Sequence, residues 1–159
     1  MSLRIHYARQ SPELFRKYSE MSMALAHSSI DEKLRALVEI RASQMNGCAF
    51  CLDMHVKQAK IAGERELRLY HVPIWRESNL FTPKERAALE WTEALTKLGA
   101  HGVSDEIFES VLKELSEKEL SDLTFVVMVI NGWNRVSIAF QAVPGSQDEA
   151  YGLNAAGLS

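Results

Sequence analysis

Residues 29–55 read SIDEKLRALVEIRASQMNGCAFCLDMH, and this stretch decides the fold class. Ser29–Glu32 fits a capping box, in which a serine and a glutamate side chain each bond a free amide at a helix start. Apolar residues follow at helical spacing as far as Asn46 and Gly47, which tolerate the left-handed conformation of a helix end. A second helix is expected to begin at Cys48. Two successive helices with no strand signal between them indicate an all-α protein.

The rest of the chain repeats these helix signals. Further starts are predicted at Ser11–Pro12, Thr82–Glu85, Ser104 and Ser116–Glu119, and a short helix is predicted from Glu64 to about His71. Residues 123–130 are rich in β-branched side chains, but the capping box before them favours a helix over a strand. We therefore predict that residues 1–145 form a single-domain bundle of six or seven helices. Residues 146–159 follow the Pro144–Gly145 break, are mostly small, and are predicted to be a loosely ordered tail.

Composition restricts the classes of function. The 159 residues include 18 basic and 21 acidic ones, for a net charge of −3, and no basic cluster could neutralise a run of phosphates. Nucleic-acid binding is therefore not expected. The longest apolar run, Phe125–Ile130, is far shorter than the roughly 20 residues that span a bilayer, so we expect no membrane role. The N-terminus lacks the apolar segment of a secretory signal, and the cytoplasm is the expected compartment.

The two cysteines carry the clearest chemical signal. Thiols stay reduced in the cytoplasm, so Cys48 and Cys51 are more typical of a redox or metal-binding pair than of a structural disulfide. A helix start lowers the pKa of a thiol, because the helix dipole and the free amides stabilise the thiolate. His55 lies one helical turn beyond Cys51 on the same face, where its imidazole can accept a thiol proton. This pattern predicts a reactive dithiol.

Three other interpretations of the same residues stay open. The cysteines could be buried and inert, since free cysteine behaves as a small hydrophobic residue. Cys48, Cys51 and His55 could instead supply three ligands of a zinc site. A thioredoxin-like dithiol would need a strand before the motif, where this chain has a helix.

The segment Arg41–His55 resembles the core of the alkylhydroperoxidase AhpD-like proteins, which belong to the carboxymuconolactone decarboxylase superfamily. The similarity extends over roughly positions 12 to 140 and includes Leu69-Tyr70, Trp75–Ser78, Glu85–Leu89 and Ile130–Arg135. It implies an all-helical subunit that assembles as a homo-oligomer, a trimer or a hexamer. It also implies a dithiol that reduces hydroperoxides and is re-reduced by a disulfide reductant protein or a small thiol, with no metal, flavin or haem cofactor. The decarboxylase branch generally lacks the cysteine pair, which favours the peroxidase-like branch.

One position departs from that family. The family usually has a glutamate twelve residues before the first cysteine, where it helps to relay a proton from the thiols, and this chain has Ala36 there. Glu39 lies one turn later, at a helical position that differs in direction by roughly 60°. We therefore take Glu39 as the candidate replacement, with Glu90 or Glu93 on the later helix as alternatives.

These residues together predict a thiol-dependent peroxidase. Cys51 is the expected attacking thiol because His55 lies one turn away, and Cys48 is the expected resolving thiol that completes the disulfide. Cys48, Cys51, His55 and Glu39 are thus the predicted catalytic residues. The alternatives are a dithiol sensor or binding protein without efficient turnover, or a decarboxylase-like or isomerase-like enzyme that uses His55 as its base.

Overall fold

The computed structural model describes residues 2–158. Met1, the first residue of the predicted domain, and Ser159, the last residue of the predicted tail, lie outside the described residues. The described chain forms eight α-helices and no named strand: α1 (Tyr7–Gln10), α2 (Pro12–Ala24), α3 (Glu32–Asn46), α4 (Ala49–Ile61), α5 (Glu66–His71), α6 (Pro83–Thr96), α7 (Asp105–Leu112) and α8 (Glu117–Phe140). Short 3₁₀ helices span Leu25–His27, Val72–Glu77 and Leu153–Ala156. The all-α prediction is confirmed. The helix that the sequence did not predict is α1, a single turn whose first residue has no side-chain cap.

Two of the predicted helix starts have the full reciprocal cap. The Thr82 hydroxyl accepts from the amide of Glu85, and the Glu85 carboxylate accepts in return from the amide of Thr82. Ser116 and Glu119 make the same pair of bonds at the start of α8. Each box satisfies two of the amides that a helix start leaves free.

The capping box predicted at Ser29 is wrong. The cap of α3 is Asp31, whose carboxylate accepts from the amide of Leu34 at 3.0 Å. Ser29 instead donates from its amide and its hydroxyl to the carboxylate of Asp122 on α8, both at 2.8 Å. Both side chains are good caps, and the contact with α8 decides which of them takes that role.

The bundle is organised around α3 and α8. Helix α3 packs against α4, α6 and α8, and α8 also packs against α6. The larger apolar cluster lies where α3, α6, α7 and α8 meet, and a second cluster joins α3 and α6 to the segment from α4 to Phe81. A third, small cluster contains Ala42, Cys48, Cys51 and Ile130, so the two thiols lie against α8.

Helix α8 accounts for most of the apolar sequence near residue 125. By length and composition alone it could cross a membrane, a property that it shares with core helices of globular proteins. Here Val126, Val127, Val129 and Ile130 are buried in the bundle, so α8 is a core helix. It ends at Phe140, before the predicted break, because Gln141 adopts the left-handed conformation with φ of 55°.

The C-terminal segment packs against α4, which departs from the loose order that the sequence predicts for residues 146–159. Leu153 and Ala156 are buried. The ammonium of Lys57 on α4 lies 2.9 Å from the Asp53 carboxylate and 2.7 Å from the Asp148 carboxylate. Small residues alone predict looseness, but a buried leucine and an ion pair with Lys57 join this segment to α4.

Candidate active site, a buried dithiol

The cysteine pair lies at the start of α4, as predicted. Gly47 ends α3 in the left-handed conformation, with φ of 70°, and the amide of Cys48 donates to the Ser43 carbonyl at 3.0 Å. Cys48 is the cap of α4, and its sulfur accepts from the Cys51 amide at 3.4 Å. A glycine is favoured at this turn because a residue with a β-carbon is strained at positive φ. The turn therefore fixes the direction in which the first thiol points.

The two thiols are free, adjacent and almost completely enclosed. Their sulfur atoms lie 2.7 Å apart, and Cys48 and Cys51 are 2% and 1% exposed. The hydrogen bond shared with the Cys51 thiol lowers the pKa of Cys48 to about 7, against the opposing effect of burial. The same contact, together with burial, raises the pKa of Cys51. The electrostatics therefore favour Cys48 as the thiolate, whereas the sequence suggested Cys51 as the attacking thiol.

Sequence reasoning missed the polar side chains that α8 brings to the dithiol. Asn134 and Ser137 are 0% and 3% exposed, and hydrogen bonds from both lower the pKa of Cys48. The Asn134 amide also bonds Asn46 and Ser43 on α3. The signal in the sequence was the pair of asparagines within Ile130–Arg135. An asparagine inside an apolar helix needs partners, but the sequence does not say which.

Glu39 and His55 form the second half of the site. The Glu39 carboxylate lies 3.2 Å from His55 Nδ1, and the two side chains are 17% and 12% exposed. His55 Nδ1 also lies 2.9 Å from the Gln58 side-chain oxygen. Both neighbours are hydrogen-bond acceptors, so Nδ1 is the nitrogen that carries a proton. Among the described residues, no hydrogen bond joins His55 to either sulfur. The four predicted catalytic residues therefore form two pairs, Cys48 with Cys51 and Glu39 with His55.

Glu39 faces a cavity of about 360 Å³ between α3, α4 and the C-terminal segment. Gln58, Tyr151 and Leu153 line the same cavity, and so does Ala36. The position at which the family usually has its glutamate therefore faces the same space as Glu39. Among the described residues, those that line this cavity include neither cysteine nor His55, so Glu39 connects the cavity to His55 through its own carboxylate.

The other two candidate glutamates have different surroundings. Glu93 accepts from Arg41 Nε at 2.7 Å and from the Trp75 indole at 2.9 Å, and it also pairs with Arg76. Glu90 lines a separate groove beside α7. The structure therefore brings neither of them to His55.

The zinc interpretation finds no geometric support. Within residues 2–158, no three histidine, cysteine, aspartate or glutamate side chains come together as a possible metal site. Cys48 and Cys51 share the small apolar cluster with Ala42 and Ile130, and His55 turns toward Glu39 instead.

The fold and the site define the class: an all-helical bundle in which one cysteine caps a helix and a second lies in the first turn of that helix. The chain belongs to the carboxymuconolactone decarboxylase family, whose pattern matches residues 12–94, and within it to the AhpD-like proteins.

Relatives and solved structures agree with this assignment. The uncharacterized protein YdfG of Bacillus subtilis strain 168 is 41% identical over 139 residues, which is 87% of this chain and 95% of YdfG. A structure from Agrobacterium tumefaciens, of unknown function and a putative antioxidant defence protein AhpD, is 36% identical with a TM-score of 0.86, over 90% of this chain and 98% of that one. The debrominase Bmp8 shares the fold at 18% identity, with a TM-score of 0.78, over 89% of this chain and 75% of its own. The likeness to Bmp8 is a likeness of fold alone.

Proposed function

We propose that this protein is a thiol-dependent peroxidase that reduces hydroperoxides through Cys48 and Cys51. The observation that carries the proposal is the pairing of a thiol with a pKa near 7 and a second thiol whose sulfur lies 2.7 Å away. A thiolate is the nucleophile in peroxide reduction, and a neighbouring thiol turns the first product into a disulfide before it is oxidised further.

The proposed reaction has two steps on the protein. The Cys48 thiolate attacks one oxygen of the O–O bond, so the sulfur becomes a sulfenic acid and the other oxygen leaves with the electron pair as an alkoxide. The Cys51 sulfur then attacks the sulfenic sulfur, and its proton and the hydroxyl leave together as water. A disulfide reductant protein or a small thiol of the cytoplasm returns two electrons and two protons to the disulfide.

Glu39 and His55 are the proposed proton carriers. The alkoxide that leaves needs a proton, and Cys51 must lose its proton before it can attack. His55 lies one turn beyond Cys51, and the Glu39 carboxylate beside its Nδ1 would stabilise the imidazolium when it forms.

Rapid mixing of the reduced protein with hydrogen peroxide and with cumene hydroperoxide, followed by thiol counting, tests the proposal. We expect loss of two thiols per subunit, no peroxide consumption by Cys48→Ser, and a sulfenic acid trapped by dimedone in Cys51→Ser. The two variants are matched, since each exchanges one sulfur for an oxygen in the same cluster. If the trapped sulfenic acid appears only in Cys48→Ser, Cys51 is the attacking thiol, as the sequence suggested.

Other outcomes select the alternatives. Slow thiol loss with no repeated turnover would replace the peroxidase with a dithiol sensor or binding protein. Turnover of a lactone that survives the double cysteine variant and disappears in His55→Gln would indicate the decarboxylase-like or isomerase-like enzyme.

The proposal includes a homo-oligomer, a trimer or a hexamer, with the dithiol near a subunit boundary. Phe125 and Met128 remain 46% and 49% exposed on α8, although their neighbours in the helix are buried. Large apolar side chains of this kind are typical of subunit interfaces. Sedimentation equilibrium measures the assembly, and a mass near 17.9 kDa that persists at high concentration would contradict it.

A further inference from the structure

One face of α8 points at the dithiol. Ile130 belongs to the small apolar cluster that contains both cysteines. Residues four and seven positions later in a helix lie on the same face, so Asn134 and Ser137 follow Ile130 toward the sulfurs. Both are almost completely buried. Two polar side chains thus adjoin a thiol pair in a region that water does not reach.

A relay of three asparagines fixes the orientation of the Asn134 amide. Asn131 Nδ2 donates to the Val127 carbonyl at 2.9 Å, so its oxygen faces Asn46. Asn46 Nδ2 donates to this oxygen at 3.0 Å and to the Asn134 oxygen at 2.8 Å. Each bond needs a donor opposite an acceptor, so the Asn134 NH₂ group must point away from Asn46.

The Asn134 NH₂ group has two N–H bonds to place. One donates to the Ser43 hydroxyl at 3.1 Å. The other N–H points away from Asn46, and Asn134 and Ser137 share the face of α8 on which Ile130 packs with both cysteines. Both side chains lower the pKa of Cys48, and they act in the same direction on Cys51. A sulfur that carries a negative charge gains most from such donors, because a hydrogen bond to a charged group is stronger than one to a neutral group.

We propose that Asn134 and Ser137 are positioning residues that donate hydrogen bonds to the Cys48 sulfur and hold it as the thiolate, with Asn131 and Asn46 fixing the direction of the Asn134 amide. The inference deepens the proposed function and rests on it for its biological meaning. It makes the reactivity of Cys48 depend on two residues of α8, which are distant in the chain, as well as on the start of α4.

Two other groups that interact with the Cys48 sulfur have raised pKa values. The pKa of Cys51 on α4 is raised by its contact with Cys48 and by burial, and the pKa of Tyr7 on α1 is raised by burial and by the two cysteines. A change in thiolate absorbance near neutral pH therefore reports Cys48.

The test is an ultraviolet titration of the thiolate in the reduced protein, with no peroxide present. We expect Ser137→Ala to raise the midpoint by about one pH unit, which is about tenfold less thiolate below the midpoint. Asn134→Asp should raise it further, because a carboxylate replaces the donor beside a negative sulfur. Ser137→Thr keeps the hydroxyl and should restore the wild-type midpoint. Ser121→Ala removes an exposed hydroxyl from the same helix and should leave the midpoint unchanged.

An unchanged midpoint in folded Ser137→Ala and Asn134→Asp proteins would overturn the inference. If Asn134→Asp does not fold, Ser137→Ala with its threonine rescue decides alone. The titration and the peroxide assay fail independently. If the titration midpoint shifts in the variants but the protein consumes no peroxide, the inference holds and the proposed function is wrong. If the protein consumes peroxide but the midpoint does not shift, the proposed function holds and the inference is wrong.

Discussion

Glu39 on α3 and Glu93 on α6 are shielded to nearly the same extent, with side chains 17% and 15% exposed, but they differ in their partners. Glu93 is held by Arg41, Arg76 and an indole N–H, and arginine does not lose its proton in proteins. Glu39 instead contacts the imidazole of His55, a group that can exchange a proton, as a guanidinium cannot. Equal burial thus produces a fixed anion in one place and a potential proton carrier in the other.

The direction of the Glu93 pKa agrees with this difference. Burial alone would raise it, but hydrogen bonds from Arg76, Trp75 and Arg41 outweigh burial and lower it below 4.5. A carboxylate held ionised in this way has no proton to give at neutral pH. The comparison therefore assigns a structural role to Glu93 and leaves Glu39 as the candidate for chemistry.

The largest expected effect is the loss of stability in Glu93→Gln. Removing the charge leaves Arg41 and Arg76 without their anion, which we expect to cost about 2 kcal/mol, below the usual range for buried pairs because Arg76 is half exposed. Urea unfolding measures it. Glu90→Gln, one turn earlier on α6, is the control and should change the free energy of unfolding by less than about 0.5 kcal/mol. An equal loss of unfolding free energy in both variants would contradict the structural role that the comparison assigns to Glu93.

The next effect concerns rate. We expect Glu39→Gln to slow thiol oxidation about tenfold at neutral pH, because the proton relay through His55 is weakened. The defect should fade well above the Cys48 pKa of about 7, where that thiol is ionised without help. Rapid-mixing rates across the pH range give the profile, and Glu32→Gln, another carboxylate that lines the cavity, is the control. A rate equal to wild type at every pH would remove Glu39 from the mechanism.

A smaller effect sharpens the assignment of the site. Ala36 and Glu39 line the same cavity, so Ala36→Glu restores the usual family residue in the same space. In the Glu39→Gln protein we expect this second change to recover about threefold of the lost rate. The single and double variants are compared by the same thiol-oxidation assay. No recovery would mean that the carboxylate must lie at position 39.

The smallest effect is a pH dependence of stability. Because folding lowers the Glu93 pKa, the stability that Glu93 supplies is complete above the unfolded value of 4.5 and is lost as the pH falls through the lower folded value. The difference in unfolding free energy between wild type and Glu93→Gln should therefore be constant above pH 4.5 and shrink below it. Denaturant titrations at several acidic pH values measure this difference. A constant difference down to the acid transition would contradict the role of Glu93 as a fixed anion.

Local chemistry made much of the fold predictable. The boxes at Thr82 and Ser116 and the helix start at Cys48 need only neighbours in sequence, and the structure has all three. The error at Ser29 has the opposite origin, since Asp122 on another helix takes its hydrogen bonds. A sequence shows which residues can cap a helix, but not which of them a distant element will engage.

The candidate site likewise has one part that the local sequence predicts and one part that depends on a distant helix. The spacing of Cys48, Cys51 and His55 places them on one helix, and α4 has them there. The contribution of Asn134 and Ser137 depends on how α8 is rotated against α3 and α4. Helical periodicity defines the face of one helix but not the angle between two. The cysteine motif therefore could not predict which side chains of α8 surround the thiols.

The near-complete enclosure of both sulfurs has a kinetic consequence. A reagent can meet a sulfur that is 2% exposed only when the surrounding side chains part, so each observed rate is the intrinsic rate multiplied by the open fraction. Small oxidants need a narrower opening than bulky ones. The ratio of the oxidation rates with hydrogen peroxide and with cumene hydroperoxide then depends on how often and how widely the bundle opens, as well as on any preference for a substrate. The selectivity of such a protein among peroxides depends on the opening motions of the bundle as well as on the contacts that bind the substrate.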